Sequence, residues 1–163
     1  MTRLRLMPAC RGFSLIELLA ASAILAVLAT VAVPVIETTV RREHEQQLRR
    51  ALRDIREAID AYKHAADAGK IEVSSGESGY PHSLEDLVAG VVNKEHPDGP
   101  RLYFIRRIPR DPMLPDNTVS AIDSWGKRSF ESPPDAPTEG SDVFDVYSTS
   151  SQTGLGGVPY AQW

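Results

Sequence analysis

Residues 11–19 read RGFSLIELL, and from Phe13 the apolar run continues to Ile36 as FSLIELLAASAILAVLATVAVPVI. Glu17 is the only ionisable side chain in that run before Glu37. At 1.5 Å per residue, about 24 helical residues reach roughly 36 Å, enough to cross a hydrocarbon core of about 30 Å. A carboxylate in such a helix costs roughly 2 to 3 kcal/mol at depth and less near the interface, so it calls for a partner. Were the chain cut between Gly12 and Phe13, a new α-amino group would appear on Phe13, one helical turn from Glu17. A carboxylate near the amino end of a helix is favoured by the macrodipole. It can also neutralise an ammonium on its own or a neighbouring chain.

Three plainer readings compete. A cleavable secretory leader, ending among the small residues Ala29, Thr30 and Ala32, would have too long an apolar region with a carboxylate inside it. A lipoprotein leader fails on order, because Cys10 precedes the apolar run instead of following it. An ordinary single-pass anchor leaves Glu17 as an unexplained cost.

The remaining composition narrows the class. The chain has 163 residues, a formal net charge of -4 and one cysteine, which suits one modest domain plus an appendage and excludes an internal disulfide. Arg3, Arg5 and Arg11 precede the apolar run without any acid, and the acidic excess lies beyond it. The positive-inside bias therefore puts the short N-terminal flank in the cytoplasm and the rest outside. Basic residues beyond the run are interleaved with acids, so no nucleic-acid footprint is present.

The segment resembles the type IV prepilin family, which includes type IV pilins and the pseudopilins of type II secretion systems. A short basic leader ending in Gly12, then Phe13, Ser14, Leu15, Ile16 and Glu17, an apolar helix and Pro34 carry the resemblance. It implies a leader of residues 1–12, a membrane and filament-core helix over 13–36, and a periplasmic head over 37–163 that includes the amphipathic half of the long helix. It also implies cleavage after Gly12 by a prepilin peptidase, N-methylation of Phe13, and pairing of Glu17 with the amine of an adjacent subunit. The implied place is the bacterial inner membrane, crossed once. The implied partners are further copies of the chain, other pseudopilins, an assembly platform and its cytoplasmic ATPase. Where many family members have a glycine eight residues before the proline, this chain has Ala26. Pro34 removes a hydrogen bond and crowds the preceding turn, leaving the helix able to kink or melt there during packing.

Beyond Pro34, Glu37 to Ala68 reads as a helix with Leu48, Leu52, Ile55, Ile59, Tyr62 and Ala66 on one face. Glu43, Arg49, Arg50, Arg53, Asp54, Arg56, Glu57 and Asp60 form its solvated surface, and Gly69 stops it. Ser83 caps a short helix that turns Leu84, Leu87 and Val88 inward, with a turn at Pro97, Asp98 and Gly99. Leu102 to Ile108, Lys127 to Glu131 and Val143 to Ser148 read as three short strands, with Trp125 and Gly126 as a turn into the second. The fold class is α+β: a pilin-like ladle, with a long N-terminal helix and a small antiparallel sheet as its head.

Two further stretches resemble secretion pseudopilin heads: Tyr80, Pro81, Ser83, Leu84 and Leu87 followed by Ile108 to Pro112, and the FDVYS block of Phe144 to Ser148. In the major pseudopilin the loop after the last strand carries aspartates that bind calcium. The equivalent tail here, residues 149–163, has no Asp or Glu, so no cofactor is expected and calcium is doubtful. Asp142 and Asp145 with backbone carbonyls are the alternative ligands, whereas Tyr160 and Trp163 would close the loop by packing.

No catalytic constellation emerges. His44, His64, His82 and His96 lack metal-ligand spacing, and Gly154, Gly156 and Gly157 have no Lys and helix behind them. Asp111 and Asp116 flank prolines as turn residues. The resemblance implies a structural pseudopilin, most like the major, G-type subunit, that polymerises to drive protein export. A minor pilin of a type IV pilus or a DNA-uptake pseudopilus is the alternative within the family. From another class, a membrane-anchored periplasmic binding module would leave Gly12 and Glu17 without a role.

Overall fold

In the computed structural model, residues 12–116 and 118–163 are described, the side chains of 31–34 excepted. The expected leader with Arg3, Arg5, Cys10 and Arg11 lies outside the described residues, as does the Pro34 side chain. Contacts divide the chain into a unit ending at Arg41 and a head unit, Arg42–Trp163. Helix α1 (Leu15–Asp67) belongs to both and is assigned without a break through Pro34.

Within the head unit, the apolar stripe of α1 is the core. Leu48, Leu52, Ile55, Ile59, Tyr62 and Ala66 are all buried, as the spacing predicts, and Ala51 and Ala58 join them. Gly69 ends the helix as expected. With φ of +74° it lets its own N–H reach the Ala66 carbonyl at 2.9 Å and the Lys70 N–H reach Ala65 at 2.9 Å. Those paired bonds satisfy carbonyls that the last turn leaves open. Helix α2 (Leu84–Ala89) starts at Ser83, whose N–H donates to the Asp86 carboxylate at 2.9 Å, and it buries Leu84 and Leu87.

The sheet is smaller than the three runs suggest. Strand β1 (Trp125–Arg128) pairs antiparallel with β2 (Asp145–Ser148), Trp125 opposite Ser148 and Arg128 opposite Asp145. Trp125 and Gly126 are thus strand, not turn. A Cβ on Gly126 would lie 2.4 Å from the Tyr147 ring, so any larger residue there must displace that ring. Leu102 to Ile108 is not a strand: Leu102 makes a single bridge to Val91, and the N–H groups of Phe104 and Ile105 both converge on the Leu87 carbonyl. Two successive donors on one acceptor cannot occur in a ladder, where they point to opposite sides.

Loops are held by buried polar atoms. Asp111, fully buried, accepts from Ser148 Oγ at 2.6 Å and from the Met113 N–H at 2.8 Å, while its own N–H donates to Ser124 Oγ at 3.1 Å. It therefore forms the expected turn and also ties the end of β2 to the 109–124 loop. Asp116 is a turn residue alone. Its exposed carboxylate accepts from the Thr118 hydroxyl and N–H, which hold its pKa below the ordinary value.

The C-terminal tail closes on α1. Glu45 Oε1 accepts from the Leu155 N–H at 2.7 Å and the Tyr160 hydroxyl at 3.0 Å. Arg56 reaches Asp145 at 2.7 Å, the Val146 carbonyl at 3.1 Å and the Trp163 carbonyl at 2.8 Å. Arg56 is thus a tether rather than a member of the solvated surface. Tyr160 and Trp163 pack edge to face at 5.0 Å, and the Arg49 guanidinium lies 4.3 Å from the Trp163 ring centre.

Glu45→Ala leaves two donors without their acceptor, a loss expected to reach about 2 to 4 kcal/mol. Glu45→Gln keeps an acceptor and should lose less than half as much. Urea unfolding of the detergent-solubilised protein, followed by tryptophan fluorescence, measures both.

Tyr62 gives a second expectation. Burial first, then the charges of Asp86 and Glu77, push its phenol above the ordinary 10.0. The folded state holds this proton more tightly, so the contribution to stability is whole below about pH 10 and is lost as pH rises through the folded value. Tyr62→Phe should flatten the fall in urea midpoint between about pH 9 and about pH 11.

Candidate assembly segment

Helix α1 begins where Ser14 stops being helical. The Ser14 carbonyl accepts from the N–H groups of Glu17 and Leu18, each at 3.1 Å, which makes Ser14 the N-cap and Glu17 the third residue of the first turn. Ser14 and Glu17 thus have the S-x-x-E spacing of a capping box, a local signal in the sequence that the reading from Phe13 passed over. The carboxylate sits where the helix dipole favours negative charge. No side-chain hydrogen bond or ion pair engages Glu17 among the described residues.

Gly12, Phe13 and Glu17 therefore lie together at one helix end, whereas Pro34 sits more than four turns further along. A Cβ added to Gly12 would meet nothing within 4 Å, and Phe13 is 78% exposed. Among the described residues nothing packs on the Gly12 Cα side of this peptide.

Along the apolar part of α1, Leu15, Ile16, Leu18, Leu19, Ile24, Leu25, Val27 and Leu28 are all exposed. They face every direction around the helix, so no single packed face inside the chain could cover them. The helix is long and apolar enough to cross a membrane, with a mean hydropathy of 2.5 in its best window. Its hydroxyls are turned inward: Ser22 donates to the Leu18 carbonyl at 2.8 Å and Thr30 to Val27 at 2.7 Å. Both polar groups are thereby satisfied within the helix, as a hydrocarbon environment requires.

The alternative calcium ligands are otherwise engaged. Asp142 accepts from the Ser78 hydroxyl and from the Phe130 N–H at 3.0 Å. Asp145 holds Arg56, its own chain's Val146 N–H at 2.8 Å and, at 3.6 Å, Arg128. Among the described residues no group of three or more His, Cys, Asp or Glu is placed to hold a metal. All four histidines are exposed, although His82 Nδ1 lies 3.1 Å from the Ser141 carbonyl. Glu45 and Arg56 are the residues that sequence reasoning missed. Glu45 was legible, since it precedes Leu48 by three and so falls on the buried face.

Residues 7–33 match the family model of the prokaryotic N-terminal methylation motif. Compared with curated proteins and with solved structures, the chain matches none. The motif covers Gly12, Phe13 and Glu17 and stops short of Pro34. With the exposed apolar helix behind it, the match supports a type IV prepilin-like N-terminus and a single-pass anchor in the inner membrane.

Proposed function

We propose that this chain is a structural filament subunit of the prepilin class, and specifically a pseudopilin whose polymerisation drives protein export by a type II secretion system. One observation supports the reading: an exposed Phe13 and a first-turn carboxylate with no side-chain partner among the described residues stand at the head of a helix apolar on all sides. Cleavage after Gly12 creates an ammonium on Phe13, and Glu17 of one copy pairs with that of the next. The stem, residues 13–36, then exchanges lipid for neighbouring stems, and residues 37–163 stay in the periplasm. Van der Waals packing and that one charge pair supply the association, since lipid is as apolar as the helix itself.

A prepilin peptidase, an inner-membrane platform and a cytoplasmic ATPase are the partners this mechanism needs. The secretion system is preferred to a pilus because the FDVYS block, Phe144 to Ser148, resembles the last strand of secretion pseudopilin heads. The role is structural, and no catalytic step is assigned to any residue.

Intact mass of the protein from bacterial membranes tests the class. A product beginning at methylated Phe13, formed only when the peptidase is active, is expected. An uncut chain with and without the peptidase, or a soluble product starting beyond Ala32, would sink the reading. In Glu17→Leu the chain should still be cut but should lose stem-to-stem cross-links, because the new ammonium is left without its carboxylate.

A further inference from the structure

One end of the head carries an exposed aromatic cluster with an acidic rim. Tyr80, Phe130 and Phe144 meet pairwise, with ring centres 5.0 to 5.7 Å apart. Two of these rings already receive cations from their own chain: Lys63 Nζ lies 5.6 Å from Tyr80, and the Arg128 guanidinium 4.7 Å from Phe144. Phe130 receives none among the described residues and is 56% exposed. It opens on a groove of about 290 Å³ lined also by Glu77, His82, Glu131 and Asp142. Asp142 is taken up by Ser78 and the Phe130 N–H, and Glu77 by His82 and the Ser74 N–H, which leaves the Glu131 carboxylate without a partner among the described residues. Residues 129–145 carry Glu131, Asp135, Glu139, Asp142 and Asp145 and no Lys or Arg. An aromatic face edged by carboxylates is a receptor for a guanidinium, which stacks and pairs at once.

The complementary group is on the same chain. Arg50 and Arg53, three residues apart, project from the exposed back of α1, away from Leu48, Leu52 and Ile55. Neither has a hydrogen-bond or ion-pair partner among the described residues, in contrast to Arg49 over Trp163 and Arg56 on Asp145. Lys63 marks the level of the aromatic cluster along α1, ten residues beyond Arg53 and so about 15 Å further from the stem. Stems inserted in one membrane run parallel, and two surfaces about 15 Å apart along α1 then cannot meet reciprocally in a closed twofold pair. A head-to-tail contact between different surfaces propagates as a ring or a helical filament.

Resting on the filament reading above, we propose that Arg50 and Arg53 of one copy dock on the Phe130–Glu131 groove of the next, setting the register between heads. Its occupant is a second copy of this chain. The contact adds orientation to an apolar stem that has little of its own, since charge complementarity fixes register more than it adds affinity.

Cross-linking tests this in membranes that contain the assembly machinery. Two full-length chains, both Cys10→Ser, are co-expressed: one Arg53→Cys, the other Glu131→Cys, with tags of different length. A photo-reactive residue replacing Leu18 in both reports stem assembly independently. Mild oxidation should give a mixed disulfide dimer in excess of either like-with-like dimer, and Phe130→Ala should lower its yield. Stem cross-links without the mixed dimer overturn the head contact and leave the filament reading standing; loss of both overturns the two together. A disulfide from position 131 to another protein in place of the second copy also overturns the proposal.

Charge exchange gives a second readout with the folded head retained, since Arg53 and Glu131 are both exposed. Arg53→Glu should reduce stem-cross-linked multimers roughly tenfold, the effect of about 1.4 kcal/mol, and adding Glu131→Arg should restore most of them. Unchanged multimers in Arg53→Glu and in Glu131→Arg alone would refute the pairing.

Discussion

The head depends on one face of one helix. Its sheet has two strands of four residues, too little to bury a face by itself, and α2 has under two turns. Among the described residues of the head unit, the stripe from Leu48 to Ala66 is the long apolar surface, and α2, the sheet and the tail close against it. Turning that stripe by one residue would rotate it by about 100° and bring Arg49, Arg53 or Asp60 to the core. The helix is consequently fixed in phase by everything that packs on it.

With so little sheet, buried carboxylates take over what a ladder of backbone bonds supplies elsewhere. Asp111 joins β2 to the 109–124 loop, Asp142 joins the 78–80 corner to Phe130, and Glu45 holds the tail at Leu155 and Tyr160. Each gives at least one oxygen to a group from a segment distant in sequence, which is how irregular loops avoid unsatisfied polar atoms. The tail shows the consequence for a metal. Its closure relies on a carboxylate from the helix, an arginine to the Trp163 carbonyl and an aromatic pair, all within the chain.

Helical periodicity made the core stripe and the stem legible from the residues alone, because a period of 3.6 persists over many turns. Gly69 and Ser83 were equally plain as local signals. The strands were harder: Leu102 to Ile108 has the right residue types, yet the Leu87 carbonyl captures two of its donors, and that is a tertiary event without local trace. Arg56 reads as surface because nothing near it in sequence announces Asp145, 89 positions on.

Glu17 and Glu45 make the closing contrast. Both are carboxylates on α1, and Glu45 finds two donors in its own tail. Glu17 has no side-chain partner within the described chain, only the helix dipole, and the residues around it are apolar and exposed. In water such a carboxylate would be solvated at no cost, but beside a hydrocarbon core the same group is costly until an ammonium or another donor reaches it. In the proposed filament, cleavage after Gly12 would supply that ammonium at Phe13. Were a stem to enter between others in this way, the carboxylate of one copy and the amine of its neighbour would be desolvated together, each acceptable only through the other. An apolar helix alone would aggregate in any register; a single buried charge pair at its end selects one axial position, which is what an ordered filament requires.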